Sequence, residues 1–177
     1  AEVVERIAFQ AKHRLATATR NLLKTKDDAV IEVHIQLWEI ATGKQASPPL
    51  KIEAFPVSEI AFSPDGEWAA TADYARGKGA RQSMLAVWNV ATRQQVLDAR
   101  NVSVGITKIL FSPNGDRVAA VHAEGTPRIW DRVSKKETAN VRQGAPILHL
   151  AFSPDGRRLA TAGVDGVAYV WDAATGK

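Results

Sequence analysis

The chain of 177 residues has no cysteine, and it has no apolar run near the roughly 18 residues that a membrane-spanning helix needs. The first absence excludes disulfide bracing and thiol chemistry, and it is typical of proteins in a reducing compartment. The sequence therefore predicts a cytoplasmic location. Hydrophobic residues make up 45% of the chain and charged residues 24%, which is the composition of a globular domain with a core.

One pattern occurs four times along the chain: a phenylalanine, followed by a tight turn in every copy except the first, where only Phe9 remains of that motif, then two apolar segments, the second of which ends in tryptophan. The turn reads Phe-Ser-Pro-Asp-Gly from Phe62 and from Phe152, and it has Asn for Asp in the copy that begins at Phe111. Successive tryptophans are 50, 42 and 41 positions apart, a period typical of four-stranded propeller blades. The four tryptophans are Trp38, Trp88, Trp130 and Trp171.

Each copy has a local physical explanation. Segments such as residues 147–152 are short, apolar and bounded by turn residues, which predicts strands buried on both faces. In the turn, Pro64 fixes its own φ, Asp65 can bond nearby backbone, and Gly66 can accept a positive φ. A tryptophan on the third strand offers enough area to fill the space between neighbouring blades.

These repeats resemble the WD-repeat family of β-propellers over essentially the whole chain. The resemblance implies an all-β propeller of four-stranded antiparallel blades, with a last blade that lacks its outer strand. We expect an incomplete arc, or half of a larger ring whose other blades come from the same parent protein or from a second copy. The predicted blades are residues 1–53 with an insertion at about 20–30, 54–102 with an insertion at about 74–81, 103–143, and 144–177.

The family's hydrogen-bond network is only partly present in the sequence. It links an Asp, a His, a Ser or Thr, and the tryptophan of one blade, but Gly144 and Ala145 stand where Gly-His is expected. We therefore expect these blades to depend more on apolar packing, since each lost buried hydrogen bond forgoes about 1 kcal/mol. Besides the four tryptophans, the structural repeat residues are Thr17, Thr71, Thr161 and Asp165.

No group of residues predicts catalysis, a metal site or a cofactor. Metal binding and general-base chemistry need ligands that converge, and the histidines fall at different places in their repeats, as surface or core-rim residues. The recurring serines lie in Ser-Pro turns, where hydroxyls serve the local backbone. The sequence therefore predicts a protein that is not an enzyme. The four histidines are His13, His34, His122 and His149.

A contact surface is predicted where the repeat is interrupted. Both insertions fall between the second and third strands, a connection that lies on the partner-binding top face in this family. The alternative is that they are solvated, mobile loops, where insertions are tolerated anyway. The candidate residues in the insertions are Tyr74, Arg76, Lys78, Arg81, Arg20, Lys24 and Lys26. By resemblance, the position four before each motif phenylalanine adds Glu5, Ser58, Thr107 and Leu148.

The function that the resemblance implies is a non-catalytic scaffold for a protein or peptide partner, or a ligand-sensing propeller, within a larger signalling protein. The style of the repeats is similar to bacterial members of the family. The alternatives are a propeller-based enzyme, or a module that binds an anionic ligand or nucleic acid through the basic insertions. The net charge of +4 is modest and does not favour nucleic acid. No membrane partner is expected.

Overall fold

The computed structural model describes residues 3–10, 14–24, 29–54, 57–77, 80–102 and 105–177. Within these ranges every regular element is a β-strand, and no helix is long and apolar enough to cross a membrane. The fifteen strands are β1 Val3–Gln10, β2 Arg14–Lys24, β3 Ala29–Glu39, β4 Leu50–Ala54, β5 Val57–Phe62, β6 Trp68–Gly77, β7 Ala80–Asn89, β8 Gln95–Val102, β9 Ile106–Phe111, β10 Arg117–His122, β11 Pro127–Asp131, β12 Lys136–Asn140, β13 Ile147–Phe152, β14 Arg158–Gly163 and β15 Ala168–Asp172.

The strands form four separate antiparallel sheets in chain order, which we call blades 1 to 4. Blades 1, 2 and 3 have four strands each, β1 to β4, β5 to β8 and β9 to β12. Blade 4 has three, β13 to β15. Every strand pairs with its neighbour in sequence, so each blade is a meander that short turns can connect. The predicted fold of antiparallel propeller blades, the last with three strands, is confirmed.

The hydrophobic core lies between the blades and not within any one of them. Residues of blades 1 and 2 form one buried cluster, blades 2 and 3 a second, and blades 3 and 4 a third. Trp130 is 4% exposed in the second cluster, where it fills the space between two sheets as the sequence predicts. Since each sheet buries its faces against its neighbours, stability depends on the row of blades.

Polar contacts tie adjacent blades together at the edge that carries the Ser-Pro turns. The guanidinium of Arg132 lies 3.9 Å from the centre of the Trp68 ring in the preceding blade. It also pairs with Asp116 at 3.2 Å. In the next junction, Arg117 Nη1 donates to the carbonyl of Gly156 at 3.0 Å. The junctions of blades 2 with 3 and 3 with 4 therefore combine an apolar interior with arginine contacts at the rim.

Candidate functional site

The two insertions extend the central hairpins of blades 1 and 2, and here the expectation of loops is wrong. In blade 4 the corresponding pairing ends at Ala162 and Ala168. In blade 1 it continues to Lys24 opposite Ala29, and in blade 2 to Gly77 opposite Ala80. Paired strands satisfy the inserted backbone groups internally, which loops of this length would leave to solvent. At about 3.4 Å per residue, these long hairpins reach about 17 to 20 Å further than the hairpin of blade 4.

The structure places most candidate contact residues of the insertions on these long hairpins. In blade 2, Arg76 is the cross-strand partner of Arg81, and Tyr74 is the partner of Ser83. In blade 1, Arg20 and Lys24 lie on β2. Lys26 and Lys78 fall outside the described residues. The backbone therefore brings candidate residues to the ends of two hairpins on adjacent blades.

The other four candidate positions share one backbone feature, a β-bulge in the first strand of the blade. Register shifts occur at Glu5, Ser58, Thr107 and Leu148, each of which is the extra residue between two paired neighbours. Thr107 is exposed, and Leu148 is 49% exposed. A bulge bends its strand and redirects the extra residue, and bulges are frequent beside binding sites. The four positions are thus structurally equivalent, and their use as contacts remains a prediction.

The serines of the three Ser-Pro turns serve the backbone, as the sequence predicts. Ser63 donates its hydroxyl proton to Asp65 Oδ1 at 2.5 Å and accepts the amide of Trp68 at 3.0 Å. Gly66 closes the turn with a φ of 72°. The same bonds recur around Ser112 and Ser153. A hydroxyl that is held in two local bonds has a structural role.

The predicted threonine and tryptophan pairs form in three blades. The indole Nε1 donates to the threonine hydroxyl at 2.9 Å from Trp38 to Thr17 and at 3.2 Å from Trp88 to Thr71. In blade 4, Trp171 donates to Thr161 at 2.9 Å. Blade 3 has Ala120 at the hydroxyl position, so Trp130 has no such acceptor there and depends on packing.

Blade 4 also contains a residue that sequence reasoning missed. Thr161 donates to Gln143 Oε1 at 2.6 Å, and Gln143 Nε2 lies 3.4 Å from the Val167 carbonyl. Gln143 therefore occupies the place in the network that the sequence leaves empty at Gly144 and Ala145. The expectation that this position of the network is lost is wrong, because an amide reaches the same hydroxyl from one residue before the glycine. A polar residue directly before Gly144 was the available signal.

The histidines fit the expected surface and rim positions only in part. His149 is exposed, whereas His122, at the end of β10, is 1% exposed and therefore a core residue. His34 Nε2 lies 2.6 Å from Glu32 Oε2, and both side chains are largely buried on one face of β3. His13 is outside the described residues. The three described histidines lie in three different blades, and none belongs to a group of residues that could hold a metal ion.

The electrostatics of the described residues centre on turn carboxylates. A hydroxyl bond from Ser153 lowers the pKa of Asp155, and a hydroxyl bond from Thr175 lowers the pKa of Asp172. The backbone amide of Ser134 lowers the pKa of Asp131. Within the part of the chain that the structure describes, no three His, Asp or Glu residues are grouped to hold a metal ion. The hydrogen bonds that lower these pKa values stabilise turns between strands.

Four sheets that meander antiparallel, bury their faces against each other and place a tryptophan at each junction define a β-propeller arc. The family model "WD domain, G-beta repeat" matches residues 92–131 and 137–172. Each match runs from the outer strand of one blade to the tryptophan strand of the next. Two of the four repeats, within residues 92–172, therefore match the WD-repeat family.

A solved structure shows the same fold. The crystal structure of the C-terminal WD40 domain of Sif2 is 17% identical to this chain, with a TM-score of 0.68. The similarity covers 99% of this chain and 44% of that one, so this chain spans less than half the length of that domain. Domains of this family are commonly protein-interaction scaffolds and are typically non-enzymatic.

Proposed function

We propose that this chain is a non-catalytic scaffold for protein–protein interaction, and that its contact surface lies at the ends of the two long hairpins. The observation that supports this most is the extension of both hairpins on neighbouring blades. The backbone of both hairpins extends past the level at which the hairpin of blade 4 ends, so a partner can reach it without disturbing the core. The bulge positions of the first strands, such as Thr107 and Leu148, would supply further contacts near the base of these hairpins.

The charge of the blade 2 hairpin favours an acidic protein segment as partner. Arg76 and Arg81 are opposite each other in the ladder, and Lys78 follows close by in sequence. Like charges directly opposite each other destabilise an antiparallel pair. Carboxylates of a partner would relieve that repulsion, and arginine forms bidentate bonds with carboxylates.

We further propose that the chain works within a larger multidomain signalling protein of bacterial type in the cytoplasm. The Sif2 domain, of which this chain covers 44%, supports the view that such blades occur in longer propellers. The absence of cysteine agrees with a reducing compartment.

The test is binding of a fluorescent acidic peptide, rich in glutamate, to the whole chain at low and at physiological salt. The triple variant Arg76→Ser, Lys78→Ser and Arg81→Ser should weaken binding at least tenfold, because it removes the three cations of one hairpin. The matched control removes three exposed cations elsewhere, by Lys44→Ser, Lys136→Ser and Arg157→Ser. An equal loss of peptide affinity in both variants would mean that binding depends only on net charge, and it would contradict the assignment to this hairpin.

A single-stranded oligodeoxynucleotide of equal charge distinguishes the alternative function. A nucleic-acid module would bind the oligonucleotide more tightly than the peptide, with a steep loss of affinity as salt rises. We expect the peptide to bind more tightly. Tighter binding of the oligonucleotide than of the peptide would favour the anionic-ligand function over the scaffold, provided that the hairpin variant loses this binding and the control variant keeps it.

A further inference from the structure

A small polar cavity lies in the outer part of blade 3, beside the turn that joins β10 to β11. Its volume is about 260 Å³, which equals about nine water molecules at about 30 Å³ each. That is less than the volume of most sites for drug-sized ligands, so the cavity suits a molecule of few atoms. Three of its lining side chains are charged and none is hydrophobic. The lining residues are Glu124, Thr126, Arg128, Asn140, Arg142 and Gly144.

Two extended segments form the walls of this cavity, and in each of them every second residue is anchored in the protein. In one wall Gly125 and Pro127 are buried between the lining residues. In the other wall Val141 and Gln143 are buried in the same way. The Val141 amide donates to the Pro127 carbonyl at 2.9 Å, which joins the two walls. Because these contacts exist without a ligand, the cavity is preorganised, and binding would cost little ordering of the chain.

Arg128 supplies a buried donor that the protein itself leaves unused. Its Nε atom is buried and has no hydrogen-bond partner among the described residues. Its Nη1 atom lies 3.6 Å from Glu137 Oε2, which is too far for a hydrogen bond. A buried donor without an acceptor is costly, so an acceptor on a ligand would gain the most at this place.

The charges of the lining indicate the chemistry of the ligand. Arg128 and Arg142 offer two guanidinium groups, each of which can form a bidentate pair with a carboxylate. Glu124, in the same lining, offers a carboxylate that can pair with an ammonium group and that repels a dianion such as phosphate. Two cations and one anion are complementary to a molecule with two carboxylates and one ammonium group.

We propose that this cavity binds a free acidic amino acid of the size of L-glutamate. Its two carboxylates would bond Arg128 and Arg142, and its ammonium group would bond Glu124. A glutamate within a peptide lacks the free ammonium and one carboxylate, so the site selects the free amino acid. The cavity is independent of the hairpins of blades 1 and 2, so its failure would leave the proposed scaffold function untouched.

Isothermal titration of the whole chain with L-glutamate at physiological salt tests the proposal. We expect saturable binding of one molecule per chain. Arg128→Gln and Arg142→Gln should each weaken it at least about tenfold, because each removes one charged pair. The matched control is Arg157→Gln, which removes an exposed arginine in a Ser-Pro turn outside the lining and should leave the affinity unchanged. Circular dichroism and urea unfolding would check that the variants fold.

Two analogues of L-glutamate test the assignment of the three charges. Glutarate lacks only the ammonium group, and 4-aminobutyrate lacks only the carboxylate beside it, so both should bind at least about fivefold more weakly. Glu124→Gln should weaken L-glutamate and strengthen glutarate, because it removes the partner of the ammonium group and the repulsion of the second carboxylate. A merely electrostatic attraction to the arginines would strengthen both ligands in this variant, and that result would contradict the proposal.

Nuclear magnetic resonance of the wild-type chain gives a measurement that does not depend on any variant. Added L-glutamate should shift the amide signals of Thr126, Arg142 and Gly144, which line the cavity, and leave that of Arg157 in place. The absence of saturable shifts at the lining would overturn the proposal. An affinity that is unchanged in both arginine variants, or lost equally in Arg157→Gln, would overturn it as well.

Discussion

Of all Thr→Val replacements at the described threonines, Thr161→Val in blade 4 should lower the free energy of unfolding the most. Thr161 is 1% exposed, accepts the Trp171 indole proton at 2.9 Å and donates to Gln143 at 2.6 Å. Valine keeps the shape but leaves two partly or fully buried polar groups without their partner. Each such group costs about 1 to 3 kcal/mol. Because Trp171 is only half-buried, its indole loses less than a fully buried group would. We therefore expect the free energy of unfolding to fall by about 2 to 3 kcal/mol in total.

The matched comparison is Thr71→Val in blade 2. Thr71 is also buried, at 4% exposure, and accepts from Trp88 at 3.2 Å, but among the described side chains no glutamine bonds it in turn. Its loss should be about 1 kcal/mol. Urea unfolding of both variants, with an unchanged slope, measures the difference.

A double-mutant cycle of Thr161→Val with Gln143→Met isolates the bond between these two side chains. We expect a coupling energy of about 1 kcal/mol, since residues joined in one hydrogen-bond network are not additive. Additive losses, or equal losses for Thr161→Val and Thr71→Val, would refute the view that Gln143 completes the network.

Three further outcomes follow from the turns and junctions. Gly125→Ala should lower the free energy of unfolding by at least about 3 kcal/mol, because its Cβ would overlap the Ala145 carbonyl. Gly166→Ala has open space around it and a φ of 77°, so it should lose only about 1 to 2 kcal/mol, the cost of the left-handed backbone. Similar losses for the two variants in urea unfolding would contradict this. Arg132→Ala should cost about 1 kcal/mol by loss of its cation–π contact and ion pair, which salt should screen only in part. The depressed pKa of Asp155 means that its contribution to stability is present above the unfolded value of 3.8 and is lost as pH falls through the lower folded pKa. Carboxyl chemical shifts should therefore show Asp155 titrating below 3.8, and a midpoint above that value would contradict the turn geometry.

The fold could be predicted from the sequence because its main determinants are local and repeated. A Ser-Pro-Asp-Gly turn has one low-energy geometry, and a period of about 41 residues between tryptophans admits few architectures. The threonine and tryptophan pairs were predictable for the same reason. Each pair is fixed by the register of two adjacent strands.

The details that escaped prediction depend on longer-range choices. Whether inserted residues form a loop or extend a hairpin depends on which backbone bonds are available, and Arg20 or Tyr74 alone does not indicate it. Gln143 joins the network from a neighbouring position along the chain, which an alignment by motif does not reveal. The burial of His122 likewise depends on the packing of adjacent segments.

The nested Ser-Pro turns have a consequence for how such chains can lengthen. Gly115 lies against Ser63 and Asp65 of the preceding turn, and Gly156 lies against Ser112 and Asn114 in the same way. Each turn therefore receives the one after it and fits the one before it, always in the same direction. A tandem duplication of one such unit would carry both contact surfaces of its turn. The new boundary between the two copies would therefore repeat a contact that already exists in the native structure. The direction of this nesting makes gene duplication a structurally conservative event for the arc.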